Sequence, residues 1–493
     1  MAVNLNLQTS ESRETRLGSI TGYHGSLKEM ATQGCQGCLK NCKRDFSTGC
    51  SCSHSHCLDQ LAGLEGAVII DHSPVGCSAG LIGYNRSLNN KFYESKNADQ
   101  NSNLKIFSTN IREQDTVFGA SEKLRNTIQF AYDRHHPKHM YVVASCVSAI
   151  IGEDAYSIAE EMSEELGVPI GYASSEGINS KIWASGFDAY CHSVSKALLK
   201  EPKEKKDQVT YVGFYPKGRD HIEWMFERFG FKMLFLTGGS NLDDFARASE
   251  SKAVFGQCGA QSSYLCGALE QRFGVKYFQS HLPYGGIGVE RFLREFGAYF
   301  GKEDIAEEII KEEKEAYAFR LAKVKKKLAG KKVFIALGAS FAYEYTRMCK
   351  ELGMEVIHTV AYHYDPHLDN ESPDKVAAAT DVYELEQDVP TSVNDGQNME
   401  TMITLKHNKP DIVISRAHKA SAWAVRNGIT ALEVKIGLPM VGYRGLVEFG
   451  ELVIKTLANT NFERKFGARF RLPFTEAYLN SEPFSFLKEA QNG

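Results

Sequence analysis

The sequence predicts an α/β protein built from three doubly wound lobes, and three observations predict it. Short apolar runs alternate with amphipathic stretches along most of the chain, the pattern of βαβ units. Two charged stretches, KEPKEKKDQ at 200–208 and EDIAEEIIKEEKEAYAFRLAKVKKKLAG at 303–330, break that alternation into three groups. Cysteines stand at several strand ends, where α/β folds carry their ligand-binding loops.

The elements follow in order. LEGAVIIDHSP reads as a turn and a short apolar strand, HMYVVASC as a strand ending at Cys146, VSAIIGEDAYSIAEEMSEELG as an amphipathic helix and VPIGYASS as the next strand. After the first charged joint, VTYVGFY is a strand, HIEWMFERFGF a helix and KMLFLTGG a strand; AVFGQCG, SSYLCGALEQRFG and VKYFQSHLP repeat the pattern. The long charged helix, with its three- and four-residue repeats, is expected to be an exposed connector. KKVFIALGAS, FAYEYTRMCKELG and MEVIHTVAYHYD open the third group, which continues through DIVISRAHK, a helix through AVRNG and GLPMVGYRG. The resulting division is a cysteine-rich N-terminal segment (1–57), lobes at 58–204, 205–328 and 329–460, and a C-terminal extension (461–493). Glycine turns such as the one at Gly338 do not form GxGxxG and imply no nucleotide.

At 493 residues and 43% hydrophobic content the chain exceeds the usual single domain. A net charge of -4 gives no basic excess for nucleic acid or an anionic membrane. No run approaches the roughly 20 apolar residues of a membrane span, and MAVNLNLQTSESRETR has no hydrophobic signal core. The expectation is a cytoplasmic protein without nucleic-acid or membrane partners.

Of twelve cysteines, Cys35, Cys38, Cys42, Cys50, Cys52 and Cys57 crowd one segment and the rest are scattered. Cys77, Cys146 and Cys258 each follow an apolar strand. Soft thiolates suit iron and iron–sulfur clusters, and strand-end loops can bring distant ones together. The plainer reading is that they cap cores beside glycines.

These residues carry a resemblance, from about Gly49 to Asn459, to catalytic-component subunits of the nitrogenase superfamily. HSPVGC resembles the H-G-P-V-G-C segment and SCVSAIIGED the C-P-S-x-x-I-G-D-D segment that bear cysteine ligands of the P-cluster, which gives those roles to Cys77 and Cys146. Cys52, about 25 residues before Cys77, is the matching third ligand, with Cys50 and Cys57 as competitors. QCGAQSSYLCGALEQRFG resembles the Q-C-x-x-S-x-x-Y segment holding the large active-site cluster, which makes Cys258 its candidate ligand; Cys266 reads as a core cysteine. The resemblance implies the nitrogenase component 1 fold, three Rossmann-like lobes enclosing a metallocluster. It also implies a P-cluster-like iron–sulfur cluster shared with a paralogous K-type subunit in an α2β2 heterotetramer, a large iron–sulfur active-site cluster, and a transient ATP-dependent iron-protein reductase.

The chain departs from dinitrogenase at two places. EGINSKIWASGFD has Trp183 and Phe187 where the catalytic subunit carries a glutamine and, four residues later, a histidine. An aromatic wall favours apolar substrates and removes hydrogen-bonding and proton-relay capacity. GLPMVGYRGLVEFG lacks the family's histidine ligand. His358, His363, His367 and His418 are substitutes by composition, and VAYHYDPHLD, with His363 and His367, is favoured. Arg86 in CSAGLIGYNRS matches the arginine lining the cofactor, where a guanidinium could screen a negative cluster; Lys419 in RAHK is assigned a similar role.

Within the superfamily the chain looks most like the D-type large subunits of methylthio-alkane reductases, nitrogenase-like oxidoreductases. That resemblance implies reductive C–S cleavage of small thioethers to methanethiol and a hydrocarbon, in sulfur metabolism. The alternatives are a scaffold for nitrogenase cofactor assembly and an unusual nitrogenase. Cys35, Cys38 and Cys42 have iron–sulfur-like spacing without a fourth partner.

Overall fold

The computed structural model describes residues 3–35, 41–44, 52–78, 105–213, 218–236, 240–279, 282–369, 388–416, 420–434, 440–485 and 487–488. Within them lie three sheets whose main strands are parallel. The first sheet runs Ile106–Ser108, Ala67–His72, His139–Ala144, Ile170–Ser174 from edge to edge. Its two central strands are buried at every residue, which is why AVIIDH and HMYVVA read as apolar runs rather than alternating ones. The second sheet runs Lys276–Tyr277, Ser251–Gly256, Lys206–Val212, Lys232–Leu236. The third runs Pro390–Val393, Glu355–Ala361, Lys332–Leu337, Ile412–Ser415, Thr430–Glu433.

In each sheet the strand order reverses once, and that reversal opens a crevice at the strands' carboxyl ends. The first crevice lies between Ala67–His72, which leads to Cys77, and His139–Ala144, which leads to Cys146. The second lies between Lys206–Val212 and Ser251–Gly256, the latter leading to Cys258. The third lies between Lys332–Leu337 and Ile412–Ser415, leading to Gly338 and Arg416. The candidate cysteines Cys77, Cys146 and Cys258 therefore follow strands that flank topological switch points.

One element departs from the sequence expectation. The long helix Glu303–Leu328 is no exposed connector: Ala306, Ile309, Ile310, Glu313, Leu321, Val324 and Leu328 are buried on one stripe, against Gly442–Leu457 and Gly285–Phe300. Apart from Glu313, its charges occupy the other faces and mask the stripe in a composition count. The N-terminal segment is a strap across the lobes. Tyr23–Ser26 pairs antiparallel with Pro390–Val393 and extends the third sheet, whereas the helix Ser53–Ala62 packs on Ser185–Ala197 in the first lobe. Those two helices touch through backbone, since a Cβ on Gly186 would lie 2.0 Å from the Ser53 carbonyl oxygen. No described helix is long and apolar enough to cross a membrane.

Candidate functional site

Cys52, Cys77 and Cys146 come together at the first crevice. Cys52 is the residue before the helix Ser53–Ala62, and Cys146 is the first residue of the helix Cys146–Ile150. Ser145 positions the latter. Its hydroxyl donates to the His72 carbonyl at 2.8 Å and accepts from the Ser148 N–H, tying the Cys146 loop to the strand that leads to Cys77. Gly177 lies between the other two: a Cβ there would stand 3.1 Å from Cys52 Cβ and 3.6 Å from Cys146 Sγ. The Cys77 thiol is pushed up by burial and then by the negative charges of Asp71, Cys52 and Cys146. All three thiols thus share one neighbourhood.

That neighbourhood opens outward. Cys52 and Cys77 are exposed and Cys146 is half-buried. Val75 (56% exposed), Ile150 (70%) and Ile178 (58%) surround them with apolar surface. Among the described residues no three His, Cys, Asp or Glu side chains are placed to hold a single ion. Soft thiolates spread around a patch suit a polynuclear iron–sulfur group instead. Cys57 faces inward, fully buried with Leu58 and Leu61, and burial pushes its thiol well up. Cys50 lies outside the described residues, as does Cys38; Cys42 is half-buried. Beneath the thiols, buried His54 bonds Asp71 through Nε2 at 3.0 Å and meets the Ala144 carbonyl and Ser175 hydroxyl through Nδ1.

Cys258 follows the strand Ser251–Gly256 and precedes the helix Gly259–Phe273, in extended backbone. It is buried, and burial raises its thiol. The N–H groups of Gln261 and Ala260, with the charges of Arg416 and Arg13, act the other way and favour the thiolate. Tyr284 donates to the Gln257 carbonyl at 2.6 Å and anchors the same loop. Cys266 is buried in the core.

Behind the Cys258 loop lies a network that motif reading does not reveal. Arg13, fully buried, reaches all three lobes. It donates through Nη1 to Asp365 at 3.0 Å and through Nη2 to Asp188 at 2.8 Å and to the Ala260 carbonyl. Arg16 grips the other Asp188 oxygen at 2.7 Å. Asp365 also accepts from Ser19 and from His363 Nδ1, the latter at 3.1 Å. Burial would raise the Asp365 carboxyl, but His363, Arg13 and these hydrogen bonds hold it well below the usual range.

His363 is fully buried, and its Nε2 has no hydrogen-bond partner. With Nδ1 on a carboxylate and Nε2 unpartnered, the ring has the arrangement a metal-binding histidine uses. The other histidines considered are differently placed. His358 bonds Ser392 at 3.0 Å, His367 is exposed, and His418 lies outside the described residues with Arg86 and Lys419. Trp183 wedges between the lobes, its ring 4.5 Å from that of His56 and 5.5 Å, edge-on, from that of His363. Phe187 completes the group, 5.2 Å from His56 and 5.8 Å from Trp183. An aromatic column thus runs from the helix that follows Cys52 to the His363–Asp365 pair.

A family model, "Nitrogenase component 1 type Oxidoreductase", matches residues 52–458. The nitrogenase iron-molybdenum cofactor biosynthesis protein NifE of Methanococcus maripaludis is 27% identical over 91% of this chain and 93% of its own. The nitrogenase molybdenum-iron protein alpha chain of Clostridium pasteurianum is 25% identical over 81% of this chain and 72% of its own. The solved structure of nitrogenase Cp1 at pH 5 shares the fold, with a TM-score of 0.70 at 23% identity, over 86% of this chain and 92% of that one.

Proposed function

The chain belongs to the nitrogenase component 1 type oxidoreductase family, and we propose that it is the cluster-bearing subunit of a two-subunit assembly. Cys52, Cys77 and Cys146 hold this subunit's part of a P-cluster-like iron–sulfur cluster shared with a paralogous K-type subunit, in an α2β2 heterotetramer. Cys258 holds a large iron–sulfur cluster. The observation that carries this reading is the convergence of three thiols, two of them exposed, on a face rimmed by Val75, Ile150 and Ile178. An apolar rim of that kind fits a covering partner.

When bound, such clusters take up and pass on single electrons. A transient ATP-hydrolysing iron protein delivers those electrons, and the exposed Val117 (76%) and Phe118 (88%) offer it an apolar contact. The chain's own residues do the positioning. Ser145 and Gly177 set the first group of thiols, helix N–H groups favour the Cys258 thiolate, His363 offers a second donor, and Trp183 and Phe187 keep the path between the sites dry. Arg86, His418 and Lys419 are proposed to line the large cluster.

Two roles are open to such a subunit. The relatives favour the first: matches over more than nine-tenths of both chains include a protein of iron-molybdenum cofactor biosynthesis. In that role the chain is a scaffold, and the large cluster at Cys258 is its cargo. The second role is reductive cleavage of small methylthio-alkanes, in which two electrons and two protons convert R–S–CH3 into R–H and methanethiol. The aromatic contacts of Trp183 and Phe187 favour it, because they form an apolar wall suited to a thioether.

One experiment separates these roles. The anaerobically purified complex, with its partner subunit, iron protein and ATP, is given ethyl methyl sulfide, and a second portion is mixed with cluster-free nitrogenase. Methanethiol release marks the reductase. Activation of the nitrogenase without turnover marks the scaffold. Iron sufficient for only one small cubane per half removes the Cys258 assignment and both roles with it.

A further inference from the structure

Arg13 has five N–H donors, and its partners account for three of them: one on Asp365, one on Asp188 and one on the Ala260 carbonyl. Its Nε is buried without a hydrogen-bond partner, and the same holds for Nε2 of His363, two bonds further along the same network. Buried polar atoms left unpaired are costly. Here two of them belong to one connected set of side chains, and that set touches the first turn after Cys258. Arg13 and Cys258 also sense each other's charge. Within this set the cations Arg13 and Arg16 face the carboxylates Asp188 and Asp365, and His363 shares Asp365.

We propose that Arg13 is a positioning residue for the Cys258 site, offsetting the negative charge of the iron–sulfur cluster bound there while fixing the loop that carries its ligand. The proposal rests on the reading that Cys258 holds a cluster, as resident group or as cargo. Two contacts and one open donor define the role. The Ala260 carbonyl bond fixes the Cys258 loop, the Asp365 bond orients His363, and the unpartnered Nε–H is available to a sulfide or thiolate sulfur. A planar guanidinium is suited to this, being always charged and able to bond in several directions at once.

The test is an anaerobic, EPR-monitored redox titration of the cluster-loaded complex. Arg13→Gln is expected to shift the Cys258-site midpoint to lower potential and to leave the signal of the three-cysteine site unmoved, with Arg13→Lys close to the unsubstituted protein. Asp188→Asn loosens the clamp but keeps the cation, so it is expected to lower the melting temperature without that shift. An unchanged midpoint in Arg13→Gln, or an equal shift in Asp188→Asn, overturns the proposal.

If Arg13→Gln does not fold, a second measurement carries the test. Protein labelled with guanidino-15N arginine is expected to show a nitrogen coupling to the Cys258-site cluster that Arg13→Lys loses; identical spectra overturn the proposal. Cys258→Ala serves as the control. If it keeps the second cluster signal, the Cys258 reading itself has failed, an outcome distinct from failure of the Arg13 role.

Discussion

The Ser145 hydroxyl donates to the His72 carbonyl at 2.8 Å, and this bond joins the two strand ends that carry Cys77 and Cys146. The same oxygen accepts from the Ser148 N–H at the start of the next helix. Ser145→Ala removes both, at about 1–2 kcal/mol for a lost cap with a buried acceptor left unpaired. The expected outcome is a lower melting temperature together with reduced iron at the three-cysteine site, read by metal analysis of the same samples.

The inward and outward cysteines should separate cleanly. Cys52→Ala, Cys77→Ala and Cys146→Ala are each expected to lose cluster iron with little change in the fold of this subunit. Cys57→Ser, which replaces a buried thiol beside Ser175 with a shorter, more polar hydroxyl, should keep the iron and lose stability by about 1 kcal/mol. Iron content and thermal melting, measured in parallel, check both halves. Iron loss in Cys57→Ser with Cys52→Ala unaffected would exchange their roles.

Gly186 lets two helices meet backbone to backbone. A methyl there falls 2.0 Å from the Ser53 carbonyl oxygen and 3.0 Å from the Cys57 nitrogen, with no flexible side chain to yield. Gly186→Ala is expected to cost about 1–3 kcal/mol as an overpacking change and to move Cys52 away from Gly177. Denaturant titration gives the first effect, and iron occupancy of the three-cysteine site the second.

Acid should destabilise the protein through buried histidines. Burial and Lys200 lower His139 to about 4, burial and Lys196 lower His192 to about 4, and burial and His24 lower His358 to about 3. Their unfolded values lie near 6.5, so between about 6.5 and 4 the unfolded chain binds more protons than the folded one. Stability therefore falls as pH drops through that window, by up to about 1.4 kcal/mol per unit for each histidine. Denaturation midpoints between pH 7 and 4.5 measure the slope. His139→Gln should make it shallower, and an unchanged slope would remove His139 from the account.

Much of the scaffold is legible in the sequence because its strands are short apolar runs ending at marked residues, as AVIIDH ends before Cys77 and HMYVVA before Cys146. The geometry that joins those residues is much less so. Arg13 and Arg16 belong to SRETRLGS, a polar stretch with no apolar period, and nothing local reveals that carboxylates from other lobes bury them. Tyr23–Ser26 is a strand only because Pro390–Val393 lies beside it. Trp183 reads as a wall for substrate, but its contacts with His56 and His363 exist only once two lobes close on it.

The Arg13–Asp365 ion pair spans 352 positions of the chain. During synthesis Arg13 and Asp188 both leave the ribosome well before Asp365, which emerges only after two lobes have been made. Until Pro390–Val393 is made, Tyr23–Ser26 has no strand to pair with, and unpaired edges of that kind expose nascent chains to aggregation and slow their completion. The contact that Arg13 and Asp365 make behind the Cys258 loop can thus form only once the third lobe has begun to emerge.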